Sequence, residues 1–461
     1  MKEHKPQLLD VSKLPVEKAV AALVDGAVRM GASDLFLVTN EQHVAVLVRH
    51  LGIMRMLSVV SPETGRKYLA HIKAMAGMDL GGIARRPMDG RWIYESGGNG
   101  SAHAPAAIPA VDDWDSIPLA HPGNGVSDDD RSAASFDADA SVDLRISVIP
   151  TLYGEDFAIR LLGRGLQAHR LDALGMTRRQ LGDYTQMIES PAGLIVLTGP
   201  TGSGKTATLY SSLMRLNNGR RKINTIEDPV EYAVDGLRQS QVNPTIGVTF
   251  SELLRGALRQ SPDVVMIGEI RDEETARTAV HAANSGILVF ATVHAPSASS
   301  AVQSLRSLGV HNHFLGASLR GVVSQRLVRT LCAACRTSFD LSDAPHTFDD
   351  VCHLMGPEDG KRLWAARGCA KCHGSGYAAR TGVFEVMPVS RAVRDLVSDG
   401  APTRDVRRAA VSEGMLEFRQ AALLKVARGE TSTEEMFRVI PTEVLVEAGE
   451  LVAEVASTAA A

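Results

Sequence analysis

No apolar run in this 461-residue chain approaches the roughly 20 residues that a membrane-spanning helix needs. The longest, such as "AGLIVLTG", stop far short. The N-terminal "MKEHKPQLLDVSK" is charged and lacks the apolar core of a signal peptide. Positive charge is also scarce: 49 Lys and Arg against 53 Asp and Glu leave a formal charge of −4. With only 5% aromatic residues there is no dense basic or aromatic stripe, so no nucleic-acid partner is expected. Five cysteines are too few for a disulfide scaffold in a chain this long, and their spacing matters more than their number. Together these deficits predict a cytosolic protein. What is present is ordinary for a soluble globular chain, with 44% hydrophobic and 22% charged residues. The length allows about two or three domains and a large core.

The segment "VEKAVAALVDGAVRMGASDLFL" places Val16, Val20, Leu23, Val24, Ala27 and Val28 at helical spacing, then passes through Gly31 into a strand-like run. "HVAVLVRH" alternates as a strand does, and "RRPMDGRWIYE" predicts a turn at Asp89-Gly90 before another strand. Residues 97–141 differ sharply, with eight Asp, one Arg and no Lys among Gly, Pro, Ser and Ala. Such a stretch buries too little apolar surface to offset its ordering entropy, so it is expected to be a disordered insert, either a passive solvated loop or a regulatory one. Its charge of 1 − 8 = −7 leaves the rest of the chain at −4 + 7 = +3. "SVDLRISVI" and "DFAIRLL" then form a predicted hairpin that closes a first domain, residues 1–165, and "GRGLQAHRLDALGM" connects it onward. From residue 175 to 440 helix and strand alternate, which predicts an α/β domain with a largely parallel sheet. Its strand cores are Leu194–Leu197, Ile223–Ile226, Val264–Ile267 and Leu288–Thr292. Helices are expected from about Arg391 to Ile440, followed by an alanine-rich tail over 441–461.

Gly199-Pro200-Thr201-Gly202-Ser203-Gly204-Lys205-Thr206-Ala207 follows a strand and opens a helix, the context a phosphate-binding P-loop requires. Its glycines let backbone N–H groups turn around the phosphates of ATP, and the helix N-terminus adds a positive field. Lys205 would reach the β- and γ-phosphates, and Thr206 would ligate Mg²⁺. Two acidic clusters end predicted strands: "TIEDPVEY", with Glu227, Asp228 and Glu231, and "DVVMIGEIRD", where Glu269 stands at the Walker B place. Carboxylates at strand ends face the crevice where nucleotides bind in open α/β sheets. His294 in "ATVHAP" ends the next strand; a lone histidine is more often structural.

"GPTGSGKT", "TIEDPVEY", "RQSPDVVMIGEIRDEETA", "TVHA" and "QRLVRTLC" resemble, in order and spacing, the secretion ATPase superfamily of type II secretion and type IV pilus assembly. The likeness runs from about Val16 to Ile440. It implies a PAS-like N-terminal α/β module, a RecA-like ATPase domain and a homohexameric ring. It also implies an inner-membrane platform protein and a membrane recruitment protein as partners, with the motor bound peripherally at the inner membrane. By the same resemblance Glu231 would be the general base, Glu269 would hold Mg²⁺ through a water, and His294 would sense the γ-phosphate. Arg145 and Arg160, on the two arms of the predicted hairpin, would reach a nucleotide on domain closure; the alternative is surface arginines on an exposed strand face. Ile287 and Phe36 stand where the family often has histidine, and only about fifteen residues precede the first module, so recruitment is expected to use another surface. Two other classes stay open: a nucleotide-switched scaffold with little turnover, and a DNA-transport ATPase of conjugation type, which the acidic balance disfavours.

Cys332-A-A-Cys335 and Cys369-A-K-Cys372 are separated by 33 residues. Four thiolates suit a tetrahedral structural Zn²⁺ site, predicted as an element over residues 331–376. The intervening loop exceeds the zinc-ribbon spacing of roughly 15–20, but closing it adds only about 0.6 kcal/mol. Redox dithiols are the alternative, though they normally come as one pair in a thioredoxin-like context. Cys352 is left over as an ordinary thiol. The surroundings, "GCAKCHGSGYAARTGVFEV", resemble the metal-binding element of secretion and pilus-assembly motors, which retraction-type relatives generally lack.

Overall fold

The computed structural model describes residues 8–81, 86–95, 141–163, 170–341 and 345–440. The acidic segment, apart from Ser141, and the 441–461 tail therefore lie outside the described residues, as do residues 164–169 of the predicted connection. The chain divides between Gln167 and Ala168 into two compact units.

The N-terminal unit is one antiparallel sheet with two helices, α1 (Val16–Arg29) and α2 (Pro62–Met75). Its strands are β1 (Asp34–Thr39), β2 (Val44–His50), β3 (Ile53–Val60), β4 (Met88–Glu95), β5 (Ser141–Thr151) and β6 (Gly154–Gly163), in the order β3-β2-β1-β6-β5-β4. The helical stripe predicted from Val16 onward holds: Val20, Leu23, Val24 and Ala27 are buried, and Val16 and Val28 pack at its margin. They meet the inward positions of the strands, Leu35, Leu37, Val46, Val48, Leu144, Ile146, Phe157 and Ile159. The period-2 alternation of β5 sends Val142, Leu144, Ile146 and Val148 inward and leaves Arg145 between them on the other face. One expectation fails. Asp89 and Gly90 are not a turn but lie within β4, paired with Ser147 and Ile146 of β5. A Cβ on Gly90 would stand 2.5 Å from Met78 Cε and 3.0 Å from Ala76 O, so glycine serves the close approach of the segment after α2.

The C-terminal unit is built on a seven-stranded sheet ordered β15-β12-β7-β11-β10-β8-β9. These strands are β7 (Gly193–Thr198), β8 (Ile223–Glu227), β9 (Leu237–Gln241), β10 (Val264–Ile267), β11 (Leu288–Val293), β12 (Leu319–Leu331) and β15 (Tyr377–Pro388), while β13 (Thr337–Asp340) and β14 (Arg362–Ala365) pair separately. All neighbours are parallel except β15, which runs antiparallel to β12. The four predicted strand cores fall inside β7, β8, β10 and β11; β9, β12 and β15 were not anticipated. Between the strands run α3 (Arg178–Ile188), α4 (Lys205–Leu216), α5 (Phe250–Leu258), α6 (Glu273–Asn284), α7 (Ala298–Ser307) and α8 (Asn312–Ser318). Burial is two-sided, as apolar strand cores require. Ile195 and Leu197 face Leu209, Tyr210 and Leu213 of α4. Leu194 and Val196 face Ala279 and Val280 of α6 and Val302 and Leu305 of α7. Helices α9 (Arg391–Ser398), α10 (Thr403–Ser412), α11 (Phe418–Ala427) and α12 (Thr433–Val439) complete the unit, as the helical reading of that stretch anticipated.

Candidate nucleotide site and cysteine cluster

Parallel strands deliver their carboxyl ends to one edge, and the loops there carry the motifs. After β7, Gly199, Gly202 and Gly204 adopt φ of 141°, 76° and 91°, a region that favours glycine. A Cβ at Gly199 would meet Gln325 O at 2.3 Å, and one at Gly204 would meet Gln325 Nε2 at 2.7 Å. Helix α4 starts at Lys205 with left-handed Gly204 as its N-cap and no capping side chain among the described residues. The first N–H groups of the helix, including those of Thr206 and Ala207, have no intrahelical acceptor, as at any helix start. That geometry fits an anion. Lys205 Nζ donates to the carbonyls of Gly199 at 2.7 Å and Pro200 at 3.1 Å. Burial pulls the Lys205 pKa below the usual lysine value, and the Glu269 charge opposes that shift. Thr201 and Thr206 are exposed, whereas Ser203 is buried with no partner for its hydroxyl among the described residues.

The acidic residues separate into different roles. Glu227 is buried at the end of β8 and accepts from Tyr210 Oη, from Thr225 Oγ1 at 2.5 Å and from Gln239 Nε2 at 3.2 Å. Glu231, half-buried on the loop beyond it, has no hydrogen bond or ion pair for its carboxylate among the described residues. Glu269 follows β10 and meets His294 Nε2 through Oε1 at 2.6 Å. Its Oε2 accepts from Arg271 at 2.5 Å, and the same guanidinium lies 3.7 Å from Asp228. Burial works against the Glu269 carboxylate, but Arg271 and His294 outweigh it and hold its pKa below the usual range. The structure thus joins Glu269 to His294, and it adds Arg271 and Gln325, to which the sequence pattern assigned no role. Arg271 was findable two residues beyond the Walker B acid. Gln325 had no local signal, because its contact with the phosphate loop and with Thr208 Oγ1 at 2.7 Å depends on β12 lying beside β7.

The antiparallel pairing of β12 with β15 extends to Leu331 opposite Tyr377, which puts both C-x-x-C turns at one end of the ladder. The sulfurs of Cys332, Cys335, Cys369 and Cys372 all lie within 4.8 Å of one another. The resolved separations are 4.0 Å for Cys332–Cys369, 3.8 Å for Cys335–Cys372 and 3.7 Å for Cys369–Cys372. A tetrahedral ion with metal–sulfur bonds of about 2.3 Å sets sulfur–sulfur edges of about 3.8 Å, so the donor set is compatible with zinc. Backbone N–H groups of Cys369 and Gly376 donate to Cys372 Sγ at 3.1 and 3.2 Å. Burial opposes the Cys372 thiolate, yet these donors bring its pKa down, while burial pushes Cys335 up.

The family described as Type II/IV secretion system protein matches residues 124–438. Type II secretion system protein E of Dickeya dadantii is 35% identical over 93% of this chain and 76% of its own length. Type II secretion system ATPase E of Vibrio cholerae is 35% identical over 92% of this chain and 75% of its own.

The chain belongs to the type II/IV secretion system protein family.

It is therefore a secretion ATPase. Type IV pilus assembly ATPase PilB of Thermus thermophilus is also similar, at 33% identity over 94% of this chain but 44% of its own length. Among solved structures, the Legionella pneumophila ATPase DotB superposes with a TM-score of 0.62 at 17% identity, covering 96% of this chain and 98% of that one. The pilus retraction motor PilT with bound ADP gives 0.54 at 20%, covering 91% and 96%. These two likenesses show the fold. In the N-terminal unit of this secretion ATPase, Arg145 and Arg160 stand directly opposite one another on β5 and β6. The register extends the row to Arg91 on one side and to Asp34 and Arg49 on the other. Asp34 lies 3.4 Å from Arg160 and 3.5 Å from Arg49, and Asp143 pairs with Arg91 at 2.8 Å. No helix of the described residues is long and apolar enough to cross a membrane.

Proposed function

We propose that this chain is an ATP-hydrolysing motor that acts as a homohexamer, peripherally at the inner membrane, to assemble a type II secretion pseudopilus or a type IV pilus. The observation that carries this reading is the junction of Glu269, His294 and Arg271 on the strand edge that also bears the phosphate loop. Lys205 and the α4 N-terminus bind the phosphates, and Glu231 takes the proton of the attacking water. The Glu231 carboxylate has no partner among the described residues, unlike that of Glu227, which suits a base. Thr206 and, through a water, Glu269 would hold Mg²⁺, which would supply charge neutralisation at the transferred phosphoryl group. His294, in contact with Glu269, reports the γ-phosphate to the following loop.

Arg145 and Arg160 stand directly opposite one another on β5 and β6, and two guanidiniums side by side suit a phosphate anion. This supports a role for both arginines toward the nucleotide, delivered by a PAS-like N-terminal module. The four cysteines hold structural Zn²⁺, and their presence favours assembly over retraction. A platform protein and a recruitment protein of the membrane are the partners this role requires.

Turnover of ATP with Mg²⁺ by the purified full chain is the test. Lys205→Ala and Glu231→Gln should each lower kcat by about 10²-fold or more. Wild-type turnover in either variant would overturn the mechanism.

A further inference from the structure

Glu385 lies within β15, 4% exposed, and its two oxygens hold the first residues of two helices. Oε2 accepts from the N–H of Ala298, the first residue of α7, at 2.9 Å, and Oε1 from the N–H of Phe418, the first residue of α11, at 3.2 Å. Helix α7 begins four residues after His294. The intervening loop is fixed at further points: Thr198 Oγ1 donates to Ala295 O at 2.9 Å, Arg326 Nη2 to Pro296 O at 3.3 Å, and Ser304 Oγ to His294 O at 3.1 Å.

The anchors belong together by register. Thr198 on β7 stands opposite Ser324 on β12, which stands opposite Glu385 on β15. Residues opposite one another share a sheet face. This face packs on α7, with all three residues buried. Arg326 is two residues beyond Ser324 on the same face, and its guanidinium lies 4.9 Å from the Phe418 ring. The charge of Glu385 opposes the lowering of the Arg326 pKa by burial. At the centre of the row, Ser324 Oγ has no partner among the described residues, although buried hydroxyls are almost always satisfied.

We propose that Glu385, with Thr198 and Arg326, is a positioning clamp that holds the loop carrying His294 and ties it to α11 of the C-terminal helices. The inference rests on the reading of His294 as a residue of the nucleotide site. A carboxylate suits the task because two N–H donors need two acceptor oxygens, and they favour its charge against the burial that pushes its pKa up to about 7. Glutamine keeps the shape but turns one amide donor against an N–H.

Glu385→Gln is compared with Glu435→Gln in the full chain. Glu435 is an equally buried carboxylate that holds Arg329 and Arg438 at α12 and does not touch the His294 loop. In Glu385→Gln, amide exchange over residues 294–300 should accelerate and kcat should fall about tenfold or more, with the KM for ATP changed by less than about twofold. Glu435→Gln should change neither exchange at 294–300 nor kcat. If Glu385→Gln fails to fold, Thr198→Val removes the Ala295 anchor at nearly constant volume and should accelerate the same exchange. Unchanged protection at 294–300, accelerated exchange with unchanged kcat, or an equal loss of kcat in both glutamate variants overturns the clamp. Failure of the wild-type chain to hydrolyse ATP would overturn the proposed function instead, and the exchange comparison would still decide whether Glu385 holds the loop.

Discussion

Gly199 and Gly202 share a positive φ but not the same surroundings, and the difference decides what a methyl group does to the phosphate loop. At Gly202 an added Cβ finds nothing within 4 Å, so alanine meets only the left-handed backbone strain of about 1–2 kcal/mol. At Gly199 it would stand 2.3 Å from the backbone oxygen of Gln325, which cannot swing aside as a flexible side chain would. Gly199→Ala is expected to destabilise the chain by at least about 1–3 kcal/mol more than Gly202→Ala, measured by urea unfolding, and to abolish ATP binding. Equal midpoints would show that β12 does not press on the loop. The same residue-scale contrast separates Glu227, engaged by Tyr210, Thr225 and Gln239, from Glu231, whose carboxylate has no partner among the described residues. Both glutamates stand in "TIEDPVEY", but only their neighbours separate the engaged acid from the one proposed as the base.

At the scale of elements, the cysteine cluster is docked rather than dangling. Arg336, just past Cys335, donates to Gly429 O at 2.7 Å and lies 4.0 Å from the Trp364 ring. Leu331 N–H donates to Glu430 O at 2.8 Å, and Tyr377 Oη shares a hydrogen bond with Ser432 at 2.7 Å. Metal in the cluster would therefore brace the junction of β12 and β15 with α11 and α12. Metal analysis should find about one Zn per chain, and Cys369→Ser should lose it with a fall in unfolding temperature of roughly 5 °C or more. Full stability after loss of metal would make the four thiols dispensable to the fold. The pairing that brings the turns together was outside the reach of local pattern, because β12 and β15 were not recognisable as strands. Their sequences mix polar residues such as Ser324, Gln325 and Glu385 into the sheet, and alternation alone does not reveal an antiparallel partner at that separation.

For the whole molecule, the proposed function asks the charged strand row of the N-terminal unit to take part in the reaction. Arg145 and Arg160 were named from the predicted hairpin, and register makes them members of a row with Arg91, Asp34 and Arg49. Arg145→Ala and Arg160→Ala should each lower turnover about tenfold or more while leaving nucleotide affinity within about twofold. Light scattering with a non-hydrolysable ATP analogue should give six times the chain mass. Unchanged turnover in both variants would return these arginines to the solvated face of a sheet, and a monomer at every nucleotide condition would sink the ring.

The amino-acid sequence alone determined whatever depends on neighbours along the chain: the glycine spacing of the phosphate loop, the helix that follows it, the strand cores around Leu194, Ile223, Val264 and Leu288, and the two chelating turns. These are set by backbone freedom, apolar periodicity and short chelate spans. Only the tertiary structure decided that Glu269 meets His294, that Gln325 closes against Gly199, and that Glu385 reaches both α7 and α11. Each of those depends on which strands lie side by side and in what register, and long-range pairing leaves no trace in a local window.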